Sequence, residues 1–381
     1  MAKIAIISTM ANFPWGGSEY LWAAMAEQAL LEGHDVFLSI YDWSISHPLV
    51  VQLQQQGAHL LPRPRSLSLP TKALRKLTQV KPVLTFLHKS SYQPAFDCKP
   101  DVIYISQGSS YDAIYYPDLL HLLNSSSIPY LVICQFNSDT TSLDNQARNT
   151  AQQFLNQAQS VAFVSHQNLK LAERQLARSL PNARVVQNPV NLADHSLVPF
   201  PQQSTFSFAS VARLETAYKG QDVLFEALSF PAWKERNWQC CLYGSGPDLA
   251  YLNDLAQHYG IADRVKFMGH ANDIRSIWAQ NHILVLPSRA EGTPLALIEA
   301  MLCGRLGVVN DVGGNPEWIE EPHTGFIAEA ATAKSFNNAL ERAWLERENW
   351  QQLGLKAHQH ASIKWDRSPG KSLLQLMEAN K

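Results

Sequence analysis

His282-Ile-Leu-Val-Leu-Pro-Ser-Arg-Ala-Glu-Gly-Thr-Pro-Leu-Ala-Leu-Ile-Glu-Ala300 is the stretch from which the rest of the chain is read. Ile283 to Leu286 is a short apolar run without alternation, as in a strand buried on both faces of a parallel sheet. Pro287 and Ser288 end it, and a turn through Glu291 and Gly292 follows. A helix is expected next, with Thr293 as N-cap and Pro294 in its first turn. A strand that hands over to a helix N-terminus aims amides and a positive dipole end at one point, which suits an anion. Glu299 is the odd residue, the single charge between Thr293 and Cys303, set among Leu295, Leu297, Ile298, Met301 and Leu302. An unpaired buried carboxylate is strongly unfavourable, so Glu299 should have a partner. Either it faces solvent or a structural arginine, or Glu291 and Glu299 grip a polar ligand whose anionic part sits on the helix end.

A chain of 381 residues exceeds the usual single core, so two domains are expected. A formal net charge of −2 gives no global field and argues against nucleic acid as the main partner. Five cysteines without framework spacing read as free thiols in a reducing compartment. The first strand follows Met1-Ala2-Lys3 directly, with no signal-peptide pattern, and no apolar run reaches the length of a membrane span. The expected location is therefore cytoplasmic.

Strand-like runs fall near 3–9, 35–41, 102–106, 129–135 and 160–165, with helical spacing between them. A second series follows near 206–212, 239–243, 264–268, 283–286, 306–310 and 325–328, with helices in alternation. Each series implies a parallel sheet covered on both faces. The Pro-containing stretch after Asn188 reads as an interdomain linker. The expected domains are 1–190 plus a returning segment 365–381, and 191–364. Residues 62–100 break the rhythm with prolines, Pro62, Pro64, Pro70 and Pro82 among them, and a run of basic residues, including Lys72, Arg75 and Lys76. A short helix there could touch an anionic membrane or a charged acceptor; the alternative is a solvated face over the core.

In doubly wound sheets ligands bind beyond the carboxyl ends of the strands. In the second half those positions carry Arg213, Lys219-Gly220, Gly244-Ser-Gly-Pro247, Gly269-His270, the Ser288 to Glu299 block and Gly313-Gly-Asn-Pro-Glu317. Arg213 and Lys219 at one sheet edge should repel each other unless an anion such as a diphosphate bridges them. The alternative pairs each with a local acid such as Glu215 or Asp222. In the first half Gly16-Gly17 stands between the first strand and first helix, where paired glycines let a ligand approach the backbone. It is not the Gly-x-Gly-x-x-Gly fingerprint, so nicotinamide binding is not expected, although Asp42 stands where a ribose-binding acid would be. The 13 histidines are scattered, and no metal-ligand cluster, Gly-x-Ser-x-Gly or Cys-x-x-Cys is present.

With these residues assembled, the chain resembles the family-4 retaining glycosyltransferases of the GT-B fold. Arg213 with Lys219-Gly220, Gly244-Ser-Gly-Pro, Phe267-Met-Gly-His, Glu291-Gly-Thr-Pro, Glu299-Ala-Met and Gly313-Gly-Asn-Pro-Glu317 carry the resemblance, with Gly16-Gly17 as a weaker match. It implies an α/β chain of two Rossmann-like domains with a nucleoside-diphosphate sugar in a central cleft. By position, Glu299 would bind the ribose, Glu291 the sugar hydroxyls, and Arg213 and Lys219 the diphosphate. Gly16, Gly17, Gly244, Gly292 and the backbone of Thr293, Pro294 and Leu295 would complete the donor site, with Gly269, His270 and Ala271 bordering the base. No cofactor or metal is expected.

Two departures stand out. Relatives often carry a histidine after the strand that ends near Ile105, whereas this chain has Ser106-Gln107, the expected acceptor-side residues. Gln107 can donate a hydrogen bond but cannot take a proton. Arg213 and Lys219 are also one residue further apart than is common in the family. The implied reaction is retaining transfer of a hexose, with UDP-glucose the best guess for the donor, to a saccharide or lipid-linked saccharide. An epimerase or hydrolase, or a non-catalytic nucleotide-sugar-binding protein, is the alternative. The family would place the enzyme in the cytoplasm or peripherally at the inner face of the membrane.

Overall fold

In the computed structural model, residues 1–11, 14–43, 46–65, 90–271 and 273–378 are described. Two compact units divide the chain. The first holds Met1–Val164, Leu169–Pro189 and the segment from Arg367 onward; the second holds Ser165–Asn168 and Val190–Asp366. Among the described residues no helix is long and apolar enough to cross a membrane. The basic residues that suggested a surface-binding helix fall within 66–89, outside the described residues.

The first unit is built on a seven-stranded parallel sheet of β1 (Lys3–Ser8), β2 (Asp35–Tyr41), β3 (His59–Arg63), β4 (Val102–Gln107), β5 (Tyr130–Cys134), β6 (Ser160–Phe163) and β7 (Ala183–Val185). Their spatial order is β3-β2-β1-β4-β5-β6-β7. Alternation within each strand divides its side chains between two cores. Ile4 and Ile6 join Leu21, Trp22 and Met25 of the helix Glu19–Leu31, while Ala5 and Ile7 join Leu119, Leu123, Phe154 and Leu155 on the other side. Covering both faces with helices is what lets the strands be apolar throughout.

The helix Pro369–Gln375 packs on the helix Glu19–Leu31, and Gly370 lies so close to Ala24 O that a Cβ there would collide with it. Tyr104 Oη donates to Leu374 O (3.2 Å), and Gln159 Nε2 donates to Met377 O (2.9 Å), fixing the C-terminal segment. Two strands were missed in the sequence, β3 and β7, and both are edges of the sheet. Pro62 falls inside β3 and reads as a breaker, yet an edge strand has one unpaired side and tolerates it.

The second unit repeats the plan with β8 (Phe206–Val211), β9 (Trp238–Tyr243), β10 (Val265–Gly269), β11 (Ile283–Leu286), β12 (Gly307–Asn310) and β13 (Gly325–Ala328). The order is β10-β9-β8-β11-β12-β13, again parallel. Phe208, Val285 and Val308 face one core and Ala209, Leu284, Leu286 and Val309 the other.

The expected linker is not a free tether. Leu192 and Val198 are buried against this unit, and the buried Arg305 donates to Val198 O (3.2 Å) and Pro199 O (2.7 Å). It also donates to Asn281 O (2.9 Å) and Trp278 O (2.5 Å). An arginine whose donors are all met by carbonyls can stay buried, and it fastens the segment to the sheet.

Sequential strand order reverses between β1 and β4 in the first sheet, and between β8 and β11 in the second. A crevice opens at the carboxyl end of such a switch point because the flanking connections run to opposite faces. In the second unit the residues leaving that edge are Ala212-Arg213 after β8 and Pro287-Ser288 after β11.

Candidate functional site

The switch point of the second sheet gathers the charged residues expected there. After β8 the chain makes a one-turn helix, Thr216–Lys219, closed by Gly220 at φ +64°. A Cβ at Gly220 would collide with Pro287 O at the exit of β11. Glycine is therefore required twice, for its backbone conformation and for the close approach, and the approach brings Lys219 to the β11 turn. Lys219 Nζ donates to Glu291 Oε1 (2.7 Å), and Ser288 Oγ donates to the same oxygen (2.6 Å). Glu291 is 6% exposed. Gly220→Ala should destabilise the fold by at least about 2 kcal/mol through strain at positive φ and the collision. Denaturant unfolding measures this, and a loss within experimental error would contradict the packing described.

Arg213 Nε lies 3.2 Å from Glu215 Oε2, and Asp222 pairs with Arg289. Each cation of the Arg213–Lys219 pair thus has a nearby acid, Glu215 for one and Glu291 for the other. This corrects the expectation that their repulsion calls for a bridging anion: charge balance at this edge is met by the chain's own acids.

The glycines of the second half divide by role. Gly244 and Gly246 back directly onto Ala212 O and Leu214 O, where any Cβ would collide. Asp248 then accepts from Thr216 N (2.7 Å) and Thr216 Oγ1 (2.8 Å), which holds its carboxyl below the usual range. The Gly244 segment is thereby a brace for the Arg213 loop. Gly313, at φ +53°, lies against Glu291 O in the same way, and Gly314 N donates to Gly292 O (2.9 Å). Asn310 Nδ2 donates to Ser288 O (2.9 Å). The loop that carries Ser288, Glu291 and Gly292 is therefore shaped from the ends of β11 and β12 together. Gly269 has φ +72° with open space where a Cβ would stand; His270 beside it is exposed and Ala271 partly buried.

The helix after this loop is Leu295–Leu302, with Pro294 at the capping position and no side-chain cap. Thr293 is not the N-cap: Leu295 N donates back to Thr293 O (2.9 Å), closing a tight turn before the helix begins. Pro294 has no N–H, and the Leu295 amide is engaged, so these two backbone positions do not offer the donors expected of them.

Glu299 is 5% exposed and faces neither solvent nor an arginine. Its Oε1 accepts from Asn191 N (3.2 Å), and no lysine or arginine pairs with it among the described residues. Burial pushes its carboxyl up to about 7, against a small lowering by the Asn191 amide. A buried carboxyl with one amide for company is half proton-bound at neutral pH, ready to accept hydroxyl hydrogen bonds when ionised.

In the first unit Gly16 and Gly17 have no positive φ. A Cβ at Gly16 would meet only Met10 Cε at 3.4 Å and Ser18 Oγ at 3.8 Å, and one at Gly17 would meet nothing within 4 Å. Packing among the described residues does not demand glycine at either place, unlike at Gly220 or Gly313. Beside them Glu19 is buried, accepts from Ser8 Oγ (2.9 Å), and is raised to about 7 by burial. Buried Arg63 donates to Ser8 O and lies over the rings of Tyr41 (4.3 Å) and Tyr92 (4.5 Å). Sequence reasoning passed over this group because its members are spread over three strands, one helix and the start of another, Gln93–Asp97.

Gln107 is corrected more sharply. It is fully buried; its Oε1 accepts from Ala113 N (2.7 Å) and its Nε2 donates to Ser110 O (3.2 Å). Both ends of the amide staple the following turn, and Nε2 also donates to Cys134 Sγ (3.6 Å), so Gln107 has no donor left to offer an acceptor. Ser106 is also buried, with its hydroxyl unpartnered among the described residues. Gln135, just past β5, was not singled out from the sequence. It is 4% exposed and neither end of its amide has a partner among the described residues.

Residues 200–360 match the family model "Glycosyl transferases group 1". An uncharacterized glycosyltransferase of Haemophilus influenzae is 36% identical over 127 residues, 33% of this chain and 36% of that protein. Escherichia coli UDP-Gal:alpha-D-GlcNAc-diphosphoundecaprenol alpha-1,3-galactosyltransferase is 36% identical over 95 residues, 24% of each chain. The chain thus spans about a third or less of the length of these relatives. The crystal structure of Anabaena HepE in complex with UDP and glucose superposes with a TM-score of 0.72 at 18% identity, covering 100% of both chains. Residues 200–360 thus match the glycosyl transferases group 1 model, and the chain shares its fold of two parallel-sheet units with GT-B structures such as HepE.

Proposed function

We propose that the chain is a retaining glycosyltransferase of family 4. It moves a hexose from a nucleoside-diphosphate sugar to a hydroxyl of a saccharide or lipid-linked saccharide. The observation that carries this reading is the pairing of Lys219, Ser288 and Glu291 at the switch point of the second sheet, in the same unit as a buried Glu299 that lacks a cation. Glu299 accepts the ribose hydroxyls and Glu291 the sugar hydroxyls, while Arg213 and Lys219 take the diphosphate. Gly16 and Gly17, on which the described residues place no packing demand, leave room for a ligand at the first sheet's edge. UDP-glucose as donor has the support of the UDP and glucose held by HepE. A lipid-linked acceptor has the support of the diphosphoundecaprenol named for the Escherichia coli relative.

Glu291 is held by Lys219 and Ser288 and is better suited to clamp the sugar than to attack it. The sugar C1–O bond breaks with its electron pair going to the diphosphate, where Lys219 and Arg213 stabilise the charge. The acceptor oxygen bonds to C1 on the same face, and its proton passes to the departing phosphate oxygen. Gln135, whose amide has no partner among the described residues, replaces Gln107 as the residue that would orient an acceptor hydroxyl.

Incubation with a panel of nucleotide sugars tests the reading. Release of nucleoside diphosphate that depends on added saccharide or lipid-linked acceptor supports transfer. Conversion of the sugar without acceptor indicates an epimerase, and binding without turnover a non-catalytic protein. The state of Glu299 adds a pH signature. Ribose hydroxyls donate to the ionised carboxylate, so below about 7 a proton must leave before the nucleoside binds. Nucleoside affinity should fall roughly tenfold per pH unit below that point and level off above it. Titration calorimetry of the nucleoside, whose ribose does not ionise in this range, measures the profile. Glu299→Gln should flatten it; an unchanged profile would show that another group, such as Glu19, is responsible.

A further inference from the structure

We propose that Arg289 is a positioning residue that sets the reach of Lys219. The proposal rests on the reading of Lys219 as a cation for the diphosphate. The segment from Arg213 to Lys219 carries five intervening residues, and the structure shows how that length is taken up. Thr216–Lys219 coils into one turn whose start is held by Asp248 through the backbone and side chain of Thr216. Arg289 holds the same turn from the other side. Its Nη1 donates to Thr216 O (2.7 Å), and its own backbone N donates to Tyr218 O (2.8 Å).

The guanidinium also makes two parallel bonds to Asp222, Nη1 to Oδ1 and Nη2 to Oδ2, both 2.7 Å. Asp222 lies in the first turn of the helix Gln221–Leu228, which begins directly after Gly220. One side chain therefore ties the Lys219 turn and the next helix to the exit of β11, two residues before Glu291. The planar fork matches the carboxylate in a way a point charge cannot. Asp222 raises the guanidinium's affinity for its proton.

Three of the five guanidinium donors of Arg289 are engaged within the chain, on Thr216 O and on both oxygens of Asp222. Its proposed effect passes through Lys219. Loss of the clamp leaves the turn held by Asp248, by the Gly220 contact and by the backbone bonds of Arg289 and Ala290 to Tyr218 O. The lysine can then swing, and the ordering that the clamp supplied in advance has to occur on binding.

The test uses the full chain and calorimetric titration. The nucleoside diphosphate that binds best among UDP, GDP and ADP is compared with its monophosphate, in wild type, Arg289→Ala, Arg289→Lys and Asp222→Asn. Arg289→Ala should weaken the diphosphate roughly 5- to 20-fold and the monophosphate less than about twofold. Arg289→Lys should behave like Arg289→Ala, because it keeps the charge without the fork. In a Lys219→Ala background, Arg289→Ala should add nothing.

Asp222→Asn breaks the same clamp and carries the test if Arg289→Ala does not fold. Equal weakening of both nucleotides, full additivity with Lys219→Ala, or unimpaired binding by Arg289→Lys would each overturn the proposal. Failure of the wild-type protein to bind any of the three diphosphates would instead overturn the reading of the site on which it rests.

Discussion

Glu299→Ala should raise the dissociation constant for the nucleotide roughly 10- to 100-fold, the loss expected when charge-assisted hydrogen bonds disappear. The same position makes an opposite prediction for stability, and the pair separates a binding residue from a structural one. Its folded pKa of about 7 lies above the ordinary carboxyl value of 4.5. A group raised in this way contributes stability that is full below about 4.5 and is lost as pH rises through about 7. At pH 8 the folded wild type therefore carries an ionised carboxylate in a buried place. Removing that charge with the isosteric Glu299→Gln should stabilise the protein at pH 8 by on the order of 1–3 kcal/mol and have little effect at pH 5. Thermal unfolding of both proteins at the two pH values measures it. A variant that binds nucleotide normally, or that is destabilised at pH 8, would show that Glu299 serves the fold.

Lys219→Ala should lower kcat by about 100- to 1,000-fold, the scale seen when one preorganised stabiliser of developing charge is removed. The lysine acts most strongly as the sugar–phosphate bond breaks, so KM for the donor should change far less than kcat. Affinity for the nucleoside alone should not change. In the resting protein Lys219 is held on Glu291, and Ser288 shares the same oxygen. Its removal leaves a nearly buried carboxylate with a hydroxyl only, and some loss of stability accompanies the loss of rate. Steady-state kinetics with saturating acceptor distinguishes the two effects. A variant with unchanged kcat and a raised donor KM would reduce Lys219 to a binding contact.

The parallel strands were legible because each is an apolar run bounded by turn residues, as with Ile283–Leu286 and Gly325–Ala328. The two edge strands of the first sheet were not: β3 contains a proline, and Ala183–Val185 has only three residues. Composition cannot show that an edge strand needs half the hydrogen bonds of a central one.

Glu291 and Glu299, in one continuous loop-to-helix stretch, could be singled out from spacing. What spacing could not show was which acid each cation takes, since Arg213 and Lys219 had several within reach along the chain. Gln107 illustrates the other limit. A glutamine after a strand can face a ligand or staple its own turn, and only the positions of Ala113 and Ser110 decide for the staple. The glycines were readable as special but not as to why. Gly244 and Gly313 serve close backbone packing, whereas Gly16 and Gly17 meet no such demand.

The most direct test of the central claim is calorimetric titration of the wild-type chain with UDP-glucose and other nucleoside-diphosphate sugars, repeated on Glu299→Ala. One sugar nucleotide should bind the wild type with a micromolar dissociation constant and bind Glu299→Ala roughly 10- to 100-fold more weakly. Failure of every sugar nucleotide to bind the wild type, or equal binding by Glu299→Ala, would contradict the assignment of the second sheet's edge as the donor site.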